Sequence, residues 1–145
     1  MEELNEAYNY LMQIRKAESQ IKRLEMKARE LRSCLLPGAI RYDKDRVQST
    51  PEDKLLEIMA EVDECERKAE AKRVEKARLV EEITGTIEML EDENEKTVLT
   101  TFFVARESMN QAAEYISYSI RRAYYFRKQG LLHLGEILKS ANIAK

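Results

Sequence analysis

The chain has 145 residues, 25 of them Lys or Arg and 27 Asp or Glu, for a net charge of −2. Charged residues make up 36% and aromatics only 7%, with no Trp, a balance that suits long solvated helices better than a thick globular core. The longest apolar run, Phe102 to Ala105, is far too short to span a bilayer, so no membrane partner is expected.

The N-terminus opens on Glu2 and Glu3 without an apolar leader segment, so a cytoplasmic protein is expected. Cys34 and Cys65 supply neither a metal cluster nor a disulfide framework. Both fall at apolar-phase positions of helices, where a cysteine acts as a small buried hydrophobe. Net charge conceals an asymmetry. Residues 96–145 carry 8 basic side chains against 3 acidic ones, while residues 1–95 carry 17 against 24. A basic C-terminal block on an acidic chain points to an anionic partner for that block.

In chain order, residues 3–35 read as one helix. Leu4, Ala7, Leu11, Ile14, Ala17, Ile21, Leu24, Ala28, Leu31 and Leu35 recur in steps of three and four, which keeps one face apolar. Leu36-Pro37-Gly38 ends it, because Pro37 has no amide hydrogen to continue the ladder. Residues 36–50 form a charged linker. Thr50 can cap a second helix, with Pro51 at its first position and Glu52 and Asp53 at the positive end of its dipole. That helix is expected over 51–91, bent or frayed near 72–85, where Lys72, Arg73 and Lys76 occupy the seam and Gly85 costs about 1 kcal/mol. Residues 1–91 thus read as a long arm. Its two stripes need burial in an antiparallel hairpin, against a second chain, or both.

Residues 92–145 read as a separate domain. Asp92 or Asn94 caps a helix over roughly 94–105, with Glu95 completing a capping box. Ser108 opens a second helix, with Gln111 three residues on, ending near Ile116. Ser117-Tyr118 forms a tight turn. Ser119 then caps a third helix from Ile120 to about Gln129, and Leu131 to Leu138 extend its apolar face past Gly130 and Gly135. The spacing within 108–131 is that of a helix-turn-helix: small Ala113 at the crossing, a turn at Ser117, and Ala123 as the anchor of the second helix. Ile116 and Phe126 complete a small core. The outward face would present Ser119, Arg121, Arg122, Tyr124, Tyr125 and Lys128 to duplex DNA, with arginine suited to guanine edges and Lys or Tyr to phosphates. Serine is costlier than glycine in a left-handed turn.

Residues 93–134 resemble region 4 of bacterial sigma factors. More widely, the chain resembles a family of small phage proteins of Gram-positive bacteria, allied to the RinA- and ArpU-type late transcription regulators. The resemblance is carried by Arg41-Tyr42-Asp43-Lys44-Asp45-Arg46-Val47-Gln48-Ser49-Thr50-Pro51 and by Tyr118-Ser119-Ile120-Arg121-Arg122-Ala123-Tyr124. It implies a transcriptional regulator of a bacterial host cell that binds promoter DNA and contacts RNA polymerase. Met109, Ala112 and Ala123 stand where that family tends to place Trp, Ile and a bulkier residue, so a thinner core is expected.

His133 is the one histidine and has no second ligand at metal spacing, so a structural role is expected and no cofactor. There is no phosphate loop or nucleophile elbow, and the carboxylates alternate with Lys and Arg as helical pairs, so no enzyme is expected. The leading expectation is an all-α regulator that dimerises through the arm (1–91) and binds DNA through 92–145. The alternative is a coiled-coil adaptor whose C-terminal helices bind a protein.

Overall fold

The computed structural model describes residues 2–35 and 51–144, and the fold is all-α. The elements are α1 (Glu2–Leu11), α2 (Gln13–Ser33), α3 (Pro51–Ile87), α4 (Glu93–Leu99), a π-helical turn (Thr100–Val104), α5 (Met109–Ile116) and α6 (Ile120–Ala144). None of the described helices is long and apolar enough to cross a membrane. Most of the linker string Arg41 to Pro51, including the expected cap Thr50, lies outside the described residues.

Three expectations are revised. The helix expected over 3–35 divides at Met12, although the ladder persists from Met12 N to Tyr8 O (2.9 Å) and from Lys16 N to Met12 O (3.0 Å). At that break Gln13 Nε2 donates to the Tyr10 carbonyl at 3.1 Å. The second helix does not fray at 72–85; its helical assignment is continuous from Pro51 to Ile87, four residues short of the expected end. Its seam cations are paired along the helix, Lys72 with Glu75 and Arg73 with Glu70, both at 3.1 Å. Gly85 faces open space. The third C-terminal helix continues well past Gln129 to Ala144, because both glycines that should weaken it are used in packing (below).

Contacts divide the chain elsewhere than at the expected 91/92 boundary, into Met1–Lys16 with Lys76–Lys145, and Ala17–Glu75. The second unit is a pair of helical segments. Ion pairs join Glu25 to Arg73 (3.2 Å) and Arg32 to Glu66, so the residue number rises on one segment as it falls on the other, and the pairing is antiparallel. Between them Ala17, Ile21, Ala28, Val62, Cys65 and Ala69 are buried. Small side chains at these positions allow a short interaxial distance. Cys65 is buried as expected, but Cys34 is exposed. It lies in the turn after α2, where the helical phase that would carry it inward has ended.

The first unit holds the larger core. Ala7, Leu11 and Ile14 from the N-terminus meet Ile83, Ile87 and Leu90, Leu99 and Phe103, and Leu131 and Leu134 of α6. Tyr10 Oη lies 2.9 Å from Thr86 Oγ1, a polar link across 76 residues of sequence. At Gly135 α6 crosses the N-terminal backbone so closely that an added Cβ would stand 2.3 Å from the Glu3 carbonyl oxygen. At Gly130 it would meet Leu99 Cδ1 at 3.0 Å. These glycines are places where two backbones or a backbone and a core leucine touch, which offsets their helix-weakening cost.

Candidate nucleic-acid interface

A second, smaller core fixes the C-terminal helices. Val98, Met109, Ala112, Ala113, Ile116, Ala123 and Phe126 are all buried in it, with Phe102 against its edge. Met109, Ala112 and Ala123 fill it with no large aromatic of their own, and Phe126 supplies the bulk. The local signals act as their chemistry dictates. Asp92 accepts from the Asn94 and Glu95 amides at 2.8 and 3.2 Å, Ser108 from Gln111 N at 3.1 Å, and Ser119 from Arg122 N at 3.2 Å. Each capping oxygen satisfies an amide that the helix itself leaves unpaired. Neither capping box closes reciprocally: Glu95 turns to His133, and Gln111 Nε2 donates to Glu114 at 3.2 Å.

Ser117 ends α5 in the left-handed region, at φ 60° and ψ 41°. Tyr118 N then bonds the Ala113 carbonyl and Ser117 N the Glu114 carbonyl, both at 3.1 Å. This is the Schellman pattern, which closes the last helical carbonyls and reverses the chain. The chain then enters α6, and Ala113 of α5 and Ala123 of α6 are buried in the same small core.

The π-helical turn was not foreseen; a plain helix was expected to 105. Its extra residue is marked by Ala105 N bonding Thr100 O at 2.9 Å. It sends Phe103 into the larger core and leaves Phe102 half-buried, edge-on to it at 4.9 Å between centroids.

The expected contact residues Ser119, Arg121, Arg122, Tyr124, Tyr125 and Lys128 are all exposed at the start of α6, and Ala123 and Phe126 behind them are buried. They are not equivalent. Ser119 is engaged as the cap of α6. The Arg122 guanidinium lies over the Tyr125 ring at 4.5 Å and the Phe126 ring at 5.1 Å. Arg121 and Lys128 have no hydrogen bond, ion pair or ring contact among the described residues. Two further cations join this region. Arg127 lies over Phe102 at 4.8 Å and over Tyr124 at 5.3 Å, and Arg15 of α2 reaches the same Phe102 ring at 5.5 Å. Arg127 could have been suspected from its place beside the exposed face. Arg15 could not, since it is 87 residues from the ring it covers.

Farther along α6 the surface changes sign. The Glu95 carboxylate is buried and its Oε1 stands 2.7 Å from His133 Nδ1, across a groove also lined by Asp92 and Glu136. The hydrogen bond to Glu95 raises the His133 pKa above its ordinary value, helped by the nearby charges of Glu136 and Asp92. Acidic side chains along this groove disfavour an anion there, whereas Arg121, Arg122 and Lys128 are exposed at the start of α6. Among the described residues no group of three His, Cys, Asp or Glu could hold a metal ion. No protein-family model, no curated protein and no solved structure matches the chain.

Proposed function

We propose that the chain is a transcriptional regulator that binds duplex DNA through α5 and α6 as a helix-turn-helix, with α6 entering the major groove. The observation that carries this reading is one helix with two opposed faces. Ala123 and Phe126 lock it against α5 through the left-handed turn at Ser117, and Arg121, Tyr124, Tyr125 and Lys128 project from the other side. A helix of about 10–12 Å diameter fits a major groove of about 12 Å, so a rigidly held basic face can reach base edges. Residues 96–145 supply the positive excess that draws such a helix to phosphate. The resemblance to phage late regulators fits this reading, with RNA polymerase as the protein that such a regulator would contact. The arm supplies the second copy's contact: Leu56 and Met59, three residues apart on one face of α3, are exposed after the antiparallel pair has buried its own stripe.

Selection from random duplex DNA at low and near-physiological salt tests the reading. Recovery of a consensus with two half-sites supports it. Recovery of no duplex at low salt removes it. A second reading rests on the exposed rings of Tyr115, Tyr118, Tyr124 and Tyr125, an aromatic surface that also suits a protein partner. Affinity that is flat with salt favours the protein partner; a steep fall favours DNA.

A further inference from the structure

We infer that Arg122 and Arg127 are phosphate-contacting residues on the two flanks of α6, gripping opposite walls of the major groove and leaving Arg121 to reach base edges. This rests on the duplex reading above. It follows from angular position and from what holds each guanidinium. Successive residues of an α-helix are turned by about 100°. Measured from Arg121, Lys128 and Tyr125 and Tyr124 all fall within about 60°, so they form a central stripe. Ala123, Phe126 and Gly130 lie roughly 140–200° away, and those three are buried. Arg122 stands about 100° to one side of Arg121 and Arg127 about 120° to the other. A helix inserted with the stripe toward the bases therefore turns one arginine to each sugar-phosphate strand.

The side-chain contacts agree. Arg122 is laid over Tyr125 and Phe126, and Arg127 over Phe102 and Tyr124. Stacking on a ring leaves the edge of a guanidinium, where its N–H groups are, free to donate to an anion. It also removes rotamer freedom before binding, so less is lost on contact. Both arginines are thus held at the flanks, while Arg121 has nothing among the described residues to hold it and can extend into the groove. Sequence spacing alone had grouped Arg122 with the residues meeting base edges.

The test uses the full chain with two probes, a duplex recovered by selection and a random-sequence duplex, titrated between roughly 50 and 200 mM salt. Arg122→Gln and Arg127→Gln should each make the loss of affinity over that range about 3.5-fold smaller, one phosphate contact's worth of released counterion. Both should leave the ratio of affinities for selected and random duplex unchanged. Arg121→Gln should instead lower that ratio by about 5- to 150-fold. If a Gln variant loses its helical signal, the matching Lys variant decides. Charge kept without the planar fork should preserve the salt slope and weaken affinity. An unchanged slope in the Gln variants, or a changed selected-to-random ratio, would overturn the flank assignment while leaving duplex binding intact. Failure of the unaltered chain to bind either duplex would overturn the duplex reading itself, and this assignment with it.

Discussion

Three glycines in one compact unit are expected to respond to the same substitution with different signs. Replacing a helical Gly by Ala gains about 1 kcal/mol from propensity when nothing opposes it. At Gly85 nothing lies within 4 Å of the new methyl, so Gly85→Ala should stabilise by nearly that amount. At Gly130 the methyl would meet Leu99, which is fully buried and cannot swing aside, at 3.0 Å. Crowding there should cancel the gain and leave Gly130→Ala near neutral. At Gly135 the methyl would stand 2.3 Å from the Glu3 carbonyl oxygen and 2.7 Å from its carbon, and these are backbone atoms with no rotamer to change. Ordinary contact begins near 3.4 Å, so the N-terminal helix must retreat by about 1 Å. That shift loosens Ala7 and Leu11, both wholly buried. Overpacking of this kind costs up to about 3 kcal/mol, which less the propensity gain leaves Gly135→Ala destabilised by about 2 kcal/mol. Tyrosine fluorescence reports on this unit, because six of the seven tyrosines belong to it. Urea unfolding followed by that signal should rank the variants 85, 130, 135 from most to least stable. If Gly135→Ala equalled or exceeded the unaltered protein, the close crossing of α1 and α6 would be wrong.

Ser117→Gly should stabilise the same unit by about 1 kcal/mol, since Ser117 is exposed at φ 60° and glycine adopts that region without steric cost; a lower melting temperature would refute the turn. His133 has a pKa raised by Glu95, so its pairing contributes fully below about pH 6.5 and is lost as pH rises through the higher folded-state value. The stability advantage of the unaltered protein over His133→Gln should therefore shrink from acid toward alkaline pH. An advantage that is constant, or that grows with pH, would show that the His133–Glu95 contact does not form in solution.

What could be read from sequence was local. Asp92, Ser108 and Ser119 cap helices because their oxygens reach the next free amides, and that geometry depends on three or four residues. Ser117 ends α5 in a left-handed cap, and the bonds that close it reach no farther than Ala113. The long-range facts had no such signature. Periodicity told that Leu4, Ala7, Leu11 and Leu134 each belong to an apolar face, but one apolar face looks like another. Nothing local told that the face of α1 would be shared between α6 and the end of α3. The π-helical turn depends on where two adjacent phenylalanines find room, which is a property of the finished core. The partner of Glu95 is 38 residues away. Likewise Gly130 and Gly135 read as weaknesses in a helix until the leucine and the backbone lying against them are known.

That packing of α1 changes which fragment can hold the basic face of α6. The boundary at 91/92 would free residues 92–145 from Ala7, Leu11 and Ile14, and from Ile83, Ile87 and Leu90. Leu99, Leu131 and Leu134 would then lose much of their cover, and exposing a buried aliphatic side chain costs about 1.5–3 kcal/mol. Three of them amount to roughly 5–9 kcal/mol, as large as the whole stability of many small domains. Fragment 92–145 should therefore lose most of its helical signal, even though it contains both α5 and α6 and every residue of the small core. Joining residues 1–16 to 76–145 through a short flexible linker should restore cooperative unfolding, because that chain carries both halves of the larger core. Far-UV circular dichroism with urea titration of the two fragments would compare them. If 92–145 unfolded cooperatively with the midpoint of the full chain, the N-terminal helix would be an ornament on α6, and the close approach at Gly135 would have no energetic consequence.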